Sequence, residues 1–379
     1  MEYTEEQLML KNMVQEFAKN ELEPKAMEID ETGEFPWENI KKMAELGLMG
    51  IPFPEKYGGA GMDTLSFALA IEEVARVCGS TCLIMAAHIS LCATPIYLFG
   101  TEEQKQKYLT PLAKGKSVGS FCLTEPDAGS DAGAAKTTAV LDGKYYVLTG
   151  SKVFVTNAGV ADTFVVFAKT DPQKGVHGMS AFIVGKETEG LIIGKREEKL
   201  GLHACDTRAV SLDHCQVPKE NLLGKENEGF KQALITLDGG RIGIGAMAVG
   251  LAQGALDKAG AYSKEREAFA KPISELQAIR WMLADMATEI HAARLMVHHA
   301  ARLRDQGKPF AKEASMAKLF ASEMAMRATK NAIQIFGGYG FCKDYPVERY
   351  WRDAKLTTIG EGTSEVQRLV ISREILKEF

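Results

Sequence analysis

Apolar residues recur at three- and four-residue spacing from Glu5 to about Lys114, as in LMLKNMVQEF and ENIKKMAELGLMG, which predicts a series of amphipathic helices. Pro36, Pro52, Pro54 and the run Tyr57-Gly58-Gly59-Ala60-Gly61 mark turns between them. Between about Phe121 and Leu223 the texture changes. Short segments rich in Val, Ile, Thr, Tyr and Phe, such as KYYVLTGSKVFVT, TFVVFAKT and SAFIVG, are punctuated by glycine and asparagine and read as strands. From Gly229 helical spacing returns over 231–264, 275–306 and 311–336, segments long enough for an antiparallel bundle. Helices and strands come in separate runs, which argues against a doubly wound α/β sheet, where they would alternate. The expected class is mainly α with a central β-domain, divided into an N-terminal helical domain (1–120), a β-domain (121–228) and a C-terminal helical bundle carrying a glycine-rich loop (229–379).

Composition narrows this picture. With 379 residues, 46% hydrophobic and 25% charged, the chain has material for more than one packed core and none of the bias of a disordered protein. A net charge of −5 without a basic cluster argues against a nucleic-acid groove. The first segment, MEYTEEQLMLKNMVQEF, is acidic and amphipathic, so no signal peptide is expected there. Apolar stretches are broken by glycine or charge before about 18 residues, so no bilayer-spanning helix is expected, and the chain reads as cytoplasmic. The seven cysteines contain no CxxC pair and read as reduced thiols, Cys122 as a small apolar space-filler.

Several motifs lead nowhere. Gly243-Ile244-Gly245-Ala246-Met247-Ala248 matches a dinucleotide fingerprint, but the preceding FKQALITLDGGR reads as helix. Gly243, Ala246, Gly250 and Gly254 then share one face and suit close helix packing. No histidine pair has helical metal-ligand spacing, and no metal is expected. The adjacent His298 and His299 diverge by about 100° on a helix and are expected on a solvated face. No GxSxG elbow is present.

Three loops carry more information. Phe121 to Gly133, FCLTEPDAGSDAG, lies where the helical region meets the β-domain and offers backbone donors and hydroxyls, although such residues also make ordinary turns. Gln334 to Phe341, QIFGGYGF, ends a long helix with glycines that allow a ligand to approach or simply cap the helix. Ile359 to Glu365, IGEGTSE, sets Glu361 between two glycines. That acid is either a base with raised pKa or a solvated loop carboxylate.

Together, in this order and with this layout, the three loops resemble the acyl-CoA dehydrogenase family over essentially the whole chain. Arg266-Glu267-Ala268-Phe269 with Gln277 resembles the family's flavin-binding R-x-x-F…Q element, and Leu237-Asp238-Gly239-Gly240-Arg241 its CoA-contacting segment. The texture is most similar to short-chain members, particularly butyryl-CoA dehydrogenases of anaerobic bacteria. The resemblance implies a homotetramer whose subunits have a helical domain, a β-barrel-like middle domain and a C-terminal four-helix bundle, with FAD between domains. Phe121, Leu123, Thr124, Phe154 and Thr156 match positions around the isoalloxazine ring, and Thr363 and Glu365 match dinucleotide contacts. Arg266, Phe269, Gln277, Gln334 and Gly338 match positions that reach the FAD of a neighbouring subunit. Ser130, Asp238 and Arg241 match positions that hold CoA, and Glu361 matches the catalytic base, with Gly360 beside it at the acyl chain.

The sequence departs from the family pattern at three places. Phe154 stands where many members have tryptophan, Ala270 where glycine is usual, and Gly360 where tyrosine is common. The implied reaction is removal of an α-proton by Glu361 and of a β-hydride by flavin, giving a trans-2-enoyl-CoA. The Glu361 N–H and a ribityl hydroxyl would stabilise the thioester oxygen. Electrons would pass to an electron-transfer flavoprotein. Two alternatives are an enoyl-CoA reductase within an electron-bifurcating complex and a catalytically silent scaffold of the same fold.

Overall fold

The computed structural model describes residues 2–379. Eight α-helical segments come first: α1 (Glu5–Phe17), α2 (Ala26–Thr32), α3 (Trp37–Glu45), α4 (Thr64–Ala75), α5 (Gly79–Ala86), α6 (Thr94–Phe99), α7 (Glu102–Gln104) and α8 (Thr110–Ala113). Thr4 starts α1 with a capping box completed by Gln7. The Gln7 amide in turn donates to Asp63 at 2.7 Å, and Asp63 caps α4. Every residue of α4 and of α5 is buried, so these two helices are the centre of the first domain.

Eight strands form one sheet: β1 (Gly119–Cys122), β2 (Thr138–Asp142), β3 (Tyr145–Thr156), β4 (Thr163–Lys169), β5 (Met179–Gly185), β6 (Leu191–Arg196), β7 (Thr207–Pro218) and β8 (Leu222–Leu223). Their order is β6-β7-β3-β2-β4-β5-β8, with β1 parallel to β4. Phe164, Val166, Phe182 and Val184 face the sheet's own core, whereas Val165, Phe167, Ala181 and Ile183 face the helical core. Burial on both faces explains why TFVVFAK and SAFIV are continuous apolar runs rather than alternating ones. Cys122 fills the sheet's core, and all seven cysteines are unpaired.

The C-terminal region contains α9 (Gly229–Glu265), a hairpin of β9 (Glu267–Ala268) and β10 (Lys271–Pro272), then α10 (Gln277–Asp305), α11 (Ala311–Phe336), α12 (Val347–Thr357) and α13 (Ser364–Leu376). The glycines of the apparent dinucleotide motif lie inside α9. A Cβ on Gly250 would sit 2.3 Å from the Glu72 carbonyl oxygen and one on Gly254 2.2 Å from that of Arg76, so this face packs directly on the end of α4.

Two expectations are corrected. The stretches Gly79–Phe99 and Gly229–Glu265 are long and apolar enough to cross a bilayer by length and composition, with 78% of each apolar window buried inside the protein. Helices enclosed on all sides need apolar residues all round, and glycine breaks neither of them. His298 is not on a solvated face; only His299 is. His298 is 1% exposed, its Nδ1 3.2 Å from the Tyr3 hydroxyl and its Nε2 3.7 Å from Glu72. Arg294, one helical turn earlier, donates to the same buried Glu72 at 2.8 Å, so both polar groups of α10 serve a carboxylate of α4.

Candidate active site

The Glu361 loop is short and tightly held. It leaves α12 after Thr357 and enters α13 through Thr363, whose hydroxyl accepts the Val366 N–H at 3.3 Å as an N-cap. The Ser364 N–H closes the loop on the Thr358 carbonyl at 3.1 Å. Inside it Glu361 has φ 55° and Gly362 φ 94°. A non-glycine residue in the left-handed region is strained and persists only where its surroundings fix it. Here they do. The Gln367 side-chain amide donates to the carbonyls of Glu361 (3.2 Å) and Gly362 (2.9 Å), and the Lys318 ammonium donates to Gly362 at 2.6 Å.

The carboxyl group that this loop presents is unpaired. Glu361 Oε2 is buried without a hydrogen-bond partner, and it lies against α9, where a Cβ on Gly240 would be only 1.9 Å away. Arg241, the next residue on α9, donates to Asp238 at 2.6 Å and to Ser315 at 3.1 Å. Burial pushes the Glu361 pKa up to about 7, and the charges of Lys318 and Arg241 hold it from rising further. Burial also brings Lys318 down to about 8. A carboxyl with its pKa near neutrality is suited to take a proton from carbon. Among the described residues the Glu361 N–H donates to no carbonyl and is free to serve a ligand oxygen.

The β-domain supplies a wall. Glu125 accepts the N–H groups of Lys136 (2.6 Å) and Thr137 (3.0 Å) and the Lys152 ammonium (2.8 Å), and Lys152 also donates to the Leu123 carbonyl at 3.1 Å. This buried pair fixes the loop that follows β1. The Val153 N–H donates to the Thr124 carbonyl at 2.9 Å, and the Ser120 hydroxyl donates to the Thr156 carbonyl at 2.5 Å, which draws Phe121, Leu123 and Thr124 alongside Phe154 and Thr156. A register shift between Lys152 and Val155 marks a β-bulge, where Phe154 takes φ 55° and stands 68% exposed. An exposed aromatic face beside two threonines fits a planar ring with a polar rim, as a flavin has. Ser130 is exposed at the far end of the same loop.

A third group lies elsewhere. Arg266, Phe269, Gln277, Gln334 and Gly338 are all exposed, Phe269 to 87%. Arg266 stacks on the Tyr339 ring at 5.7 Å, and the two residues share a cleft of about 500 Å³ with Tyr262, Phe336 and Gly338. No residue of the Glu361 loop or of the β-domain wall lines it. Phe269 (φ 55°) and Ala270 (φ 58°) are the two central residues of the β9–β10 hairpin, a geometry that favours glycine or asparagine. The usual glycine thus has a conformational reason, which Ala270 overrides. Gly360 does not need a glycine conformation. The atoms nearest a Cβ there belong to Leu356, at 3.6 Å, an ordinary van der Waals contact, so the position has room for a side chain.

The structure therefore groups Glu361 with Asp238, Arg241, Gly360 and Thr363, groups Phe121, Leu123, Thr124, Phe154 and Thr156 on the β-domain wall, and sets the Arg266 group apart. Glu365 is exposed in the first turn of α13. Gly240, Lys318 and Gln367 complete the surroundings of Glu361, with Ser315 behind Arg241. Gly240 lies in the segment Leu237 to Arg241 already noted, and the other three were not singled out from the sequence. A signal for Lys318 exists: in AKEASMAKLFASEMA the lysine lies on the stripe of Ala314, Ala317, Ala321 and Ala325, a position where an apolar residue is expected.

A strained carboxyl with one buried, unpaired oxygen, its pKa raised toward neutrality and set against a glycine-surfaced helix, has the character of a general base. Family models described as the N-terminal, middle and C-terminal domains of acyl-CoA dehydrogenase match residues 4–116, 120–215 and 227–376. The chain belongs to the acyl-CoA dehydrogenase family and is an oxidoreductase. It is 55% identical over 374 residues, 99% of both chains, to a short-chain specific acyl-CoA dehydrogenase of Clostridium acetobutylicum. A chain solved in work on the electron-transferring flavoprotein of Acidaminococcus fermentans and flavin-based electron bifurcation is 56% identical, with TM-score 0.98 over 100% of this chain and 99% of that one. Butyryl-CoA dehydrogenase of Megasphaera elsdenii is 46% identical, with TM-score 0.97 over 99% of both. An acyl-CoA dehydrogenase of Bacillus anthracis, solved with FAD, is 37% identical, with TM-score 0.94 over 100% of this chain and 68% of that one.

Proposed function

We propose that this chain catalyses FAD-dependent α,β-dehydrogenation of a short-chain acyl-CoA, with Glu361 removing the α-proton. The observation that carries the reading is Glu361 Oε2, buried, without a partner, on a carboxyl whose pKa is about 7. Bound FAD would supply the acceptor for the β-hydride. The residues suited to hold it are Phe121, Leu123, Thr124, Phe154, Thr156, Thr363 and Glu365 from one subunit and Arg266, Phe269, Gln277, Gln334 and Gly338 from a neighbouring copy. The exposure of that second set, apart from the Glu361 loop, supports a homo-oligomer, and the family resemblance a homotetramer.

An α-proton of a thioester is weakly acidic, so the carbonyl oxygen needs a donor as negative charge develops on it. The Glu361 N–H is unused by any carbonyl of the described residues and lies on the residue that takes the proton. Ser130, Asp238 and Arg241 are suited to the CoA arm, although Arg241 must share its guanidinium with Asp238 and Ser315. The burial of Oε2 raises the carboxyl's affinity for a proton and brings it closer to that of the carbon acid.

The test is a visible flavin spectrum of the purified protein before and after butyryl-CoA, octanoyl-CoA and isobutyryl-CoA. Bleaching with the highest kcat/KM for butyryl-CoA is expected, since each buried methylene contributes about 0.8 kcal/mol. A higher kcat/KM with octanoyl-CoA or isobutyryl-CoA would refute the short-chain assignment. Gly360→Tyr should then move the preference back, since the backbone there accepts a side chain.

A second reading, reduction of an enoyl-CoA with electrons from an electron-transferring flavoprotein, is favoured by the likeness to the chain from the Acidaminococcus fermentans bifurcation work. Activity assayed with the two flavoproteins separate and mixed distinguishes the directions.

A further inference from the structure

We propose that Lys318 is the positioning residue of the Glu361 loop: its ammonium group holds the Gly362 carbonyl and supplies the positive charge against which Glu361 ionises. This inference rests on the reading of Glu361 as the base.

A lysine with 0% exposure inside the alanine-lined stripe of α11 is costly unless its charge is used. Packing alone would be served as well by methionine or leucine. The ammonium carries three donors, and its hydrogen bond to the Gly362 carbonyl, at 2.6 Å, fixes the residue that follows Glu361. Among the described residues no carboxylate lies within the 4.0 Å of an ion pair with Lys318, so its charge is not consumed by a direct salt bridge. Glu361 nevertheless feels that charge, as Lys318 feels that of Glu361. The arrangement favours the carboxylate without occupying its oxygens, which leaves Oε2 open to a substrate proton. A direct ion pair would also favour the carboxylate but would occupy an oxygen the substrate proton needs.

The other charges nearby do not duplicate this role. From α9, Arg241 also faces Glu361, but it is paired with Asp238 at 2.6 Å. From α13, Arg373 acts on Asp238 and Arg241, and Glu365 acts on Lys318. From the end of α10, the guanidinium of Arg304 lies against Gly239, where a Cβ would be 2.7 Å from it. Lys355 of α12 also reaches the loop, donating to the Thr358 hydroxyl at 3.0 Å, but it is exposed and lies at the loop's start. Lys318 is the buried cation that holds the carbonyl next to Glu361.

The test uses holoenzymes of wild type, Lys318→Gln and Lys318→Arg. Two quantities are followed against pH: the rate of flavin reduction by saturating acyl-CoA, and the infrared carboxyl band of Glu361, identified as the band lost in Glu361→Gln. Lys318→Gln can still donate to a carbonyl but carries no charge. It should move the midpoint of both curves upward by about one pH unit, with reduction about tenfold slower below the midpoint and restored at higher pH. Lys318→Arg should restore the wild-type midpoint. A midpoint unmoved in Lys318→Gln, with only a lower Tm, would assign Lys318 to packing and overturn the proposal. Where Lys318→Gln does not yield holoenzyme, Lys318→Met, which keeps the apolar stem, is read in the same way. Wild-type reduction by Glu361→Gln would instead refute the base itself, so the two failures are separable.

Discussion

Gly240 and Glu361 are in contact across the α9 face: a single methyl group on Gly240 would stand 1.9 Å from Glu361 Oε2, closer than any two such atoms can approach. The glycine is thus part of the acid–base site although it carries no functional group. Replacing it with alanine inside a long helix favours the helix by about 1 kcal/mol, so Gly240→Ala should fold. The carboxyl, however, must move. A displacement of about 1 Å from the reacting position can cost about 100-fold in rate, and flavin reduction by acyl-CoA should fall by that order with the Tm preserved. Wild-type reduction in this variant would mean that the carboxyl works from another position.

Glu361→Gln should fold, retain flavin and lose about 10²- to 10⁴-fold in the rate of flavin reduction, since the amide matches the carboxyl in shape and cannot accept the proton. In wild type the same rate should rise with pH through the Glu361 pKa of about 7, because only the ionised form is a base. Stopped-flow reduction across that range reads both effects.

The same carboxyl costs stability. Its pKa is raised from 4.5 in the open chain to about 7 in the fold, so its favourable contribution, complete below the lower value, is lost as pH rises through the higher one. Glu361→Gln removes this dependence. The variant should melt above wild type at pH 8, with the difference shrinking toward pH 5, in thermal scans of the holoenzymes.

Ala270 occupies φ 58° in the β9–β10 turn. An alanine held in the left-handed region costs about 1 kcal/mol relative to glycine, so Ala270→Gly should raise stability by about that amount. Denaturant midpoints at unchanged slope provide the measure. A lower midpoint would show that the turn rearranges in the assembled protein.

Flavin retention should fall on dilution and with Arg266→Ala, and the two losses should coincide with loss of the oligomer, since ligand binding and assembly are linked by mass action. Flavin content measured across a size-exclusion elution profile tests this. A monomer holding stoichiometric flavin would remove the Arg266 group from the site.

The segregation of helix and strand was legible because each region keeps its own period over many residues. The stretch 231–264 lies within α9 (Gly229–Glu265), and 311–336 coincides with α11, because long periodic segments average out local ambiguity. His298 was not legible. Its burial depends on Glu72 and Tyr3, which come from distant parts of the chain and leave no mark beside it in the sequence. Glu361 could be singled out by its two glycine neighbours, but its missing partner and its burial are properties of α9 and α11, not of its own loop. Gly240 fell within the segment Leu237 to Arg241 but its own role was not legible: one glycine among many in a glycine-rich helix has no local signature, and its meaning is the atom on the other side.

Helix α9 runs unbroken from Gly229 to Glu265, with Arg241 beside Glu361 a third of the way along it and Arg266 immediately past its end. Twenty-five residues of helical rise separate those two arginines by about 37 Å. The helix acts as a ruler. A straight helix of that length cannot bring both arginines to one reacting centre, so under the proposed flavin site the far end of each α9 serves a neighbouring copy. Under that arrangement, any change that bends, shortens or shifts the register of α9 would be felt twice, at the subunit's own chemistry and at that of its neighbour.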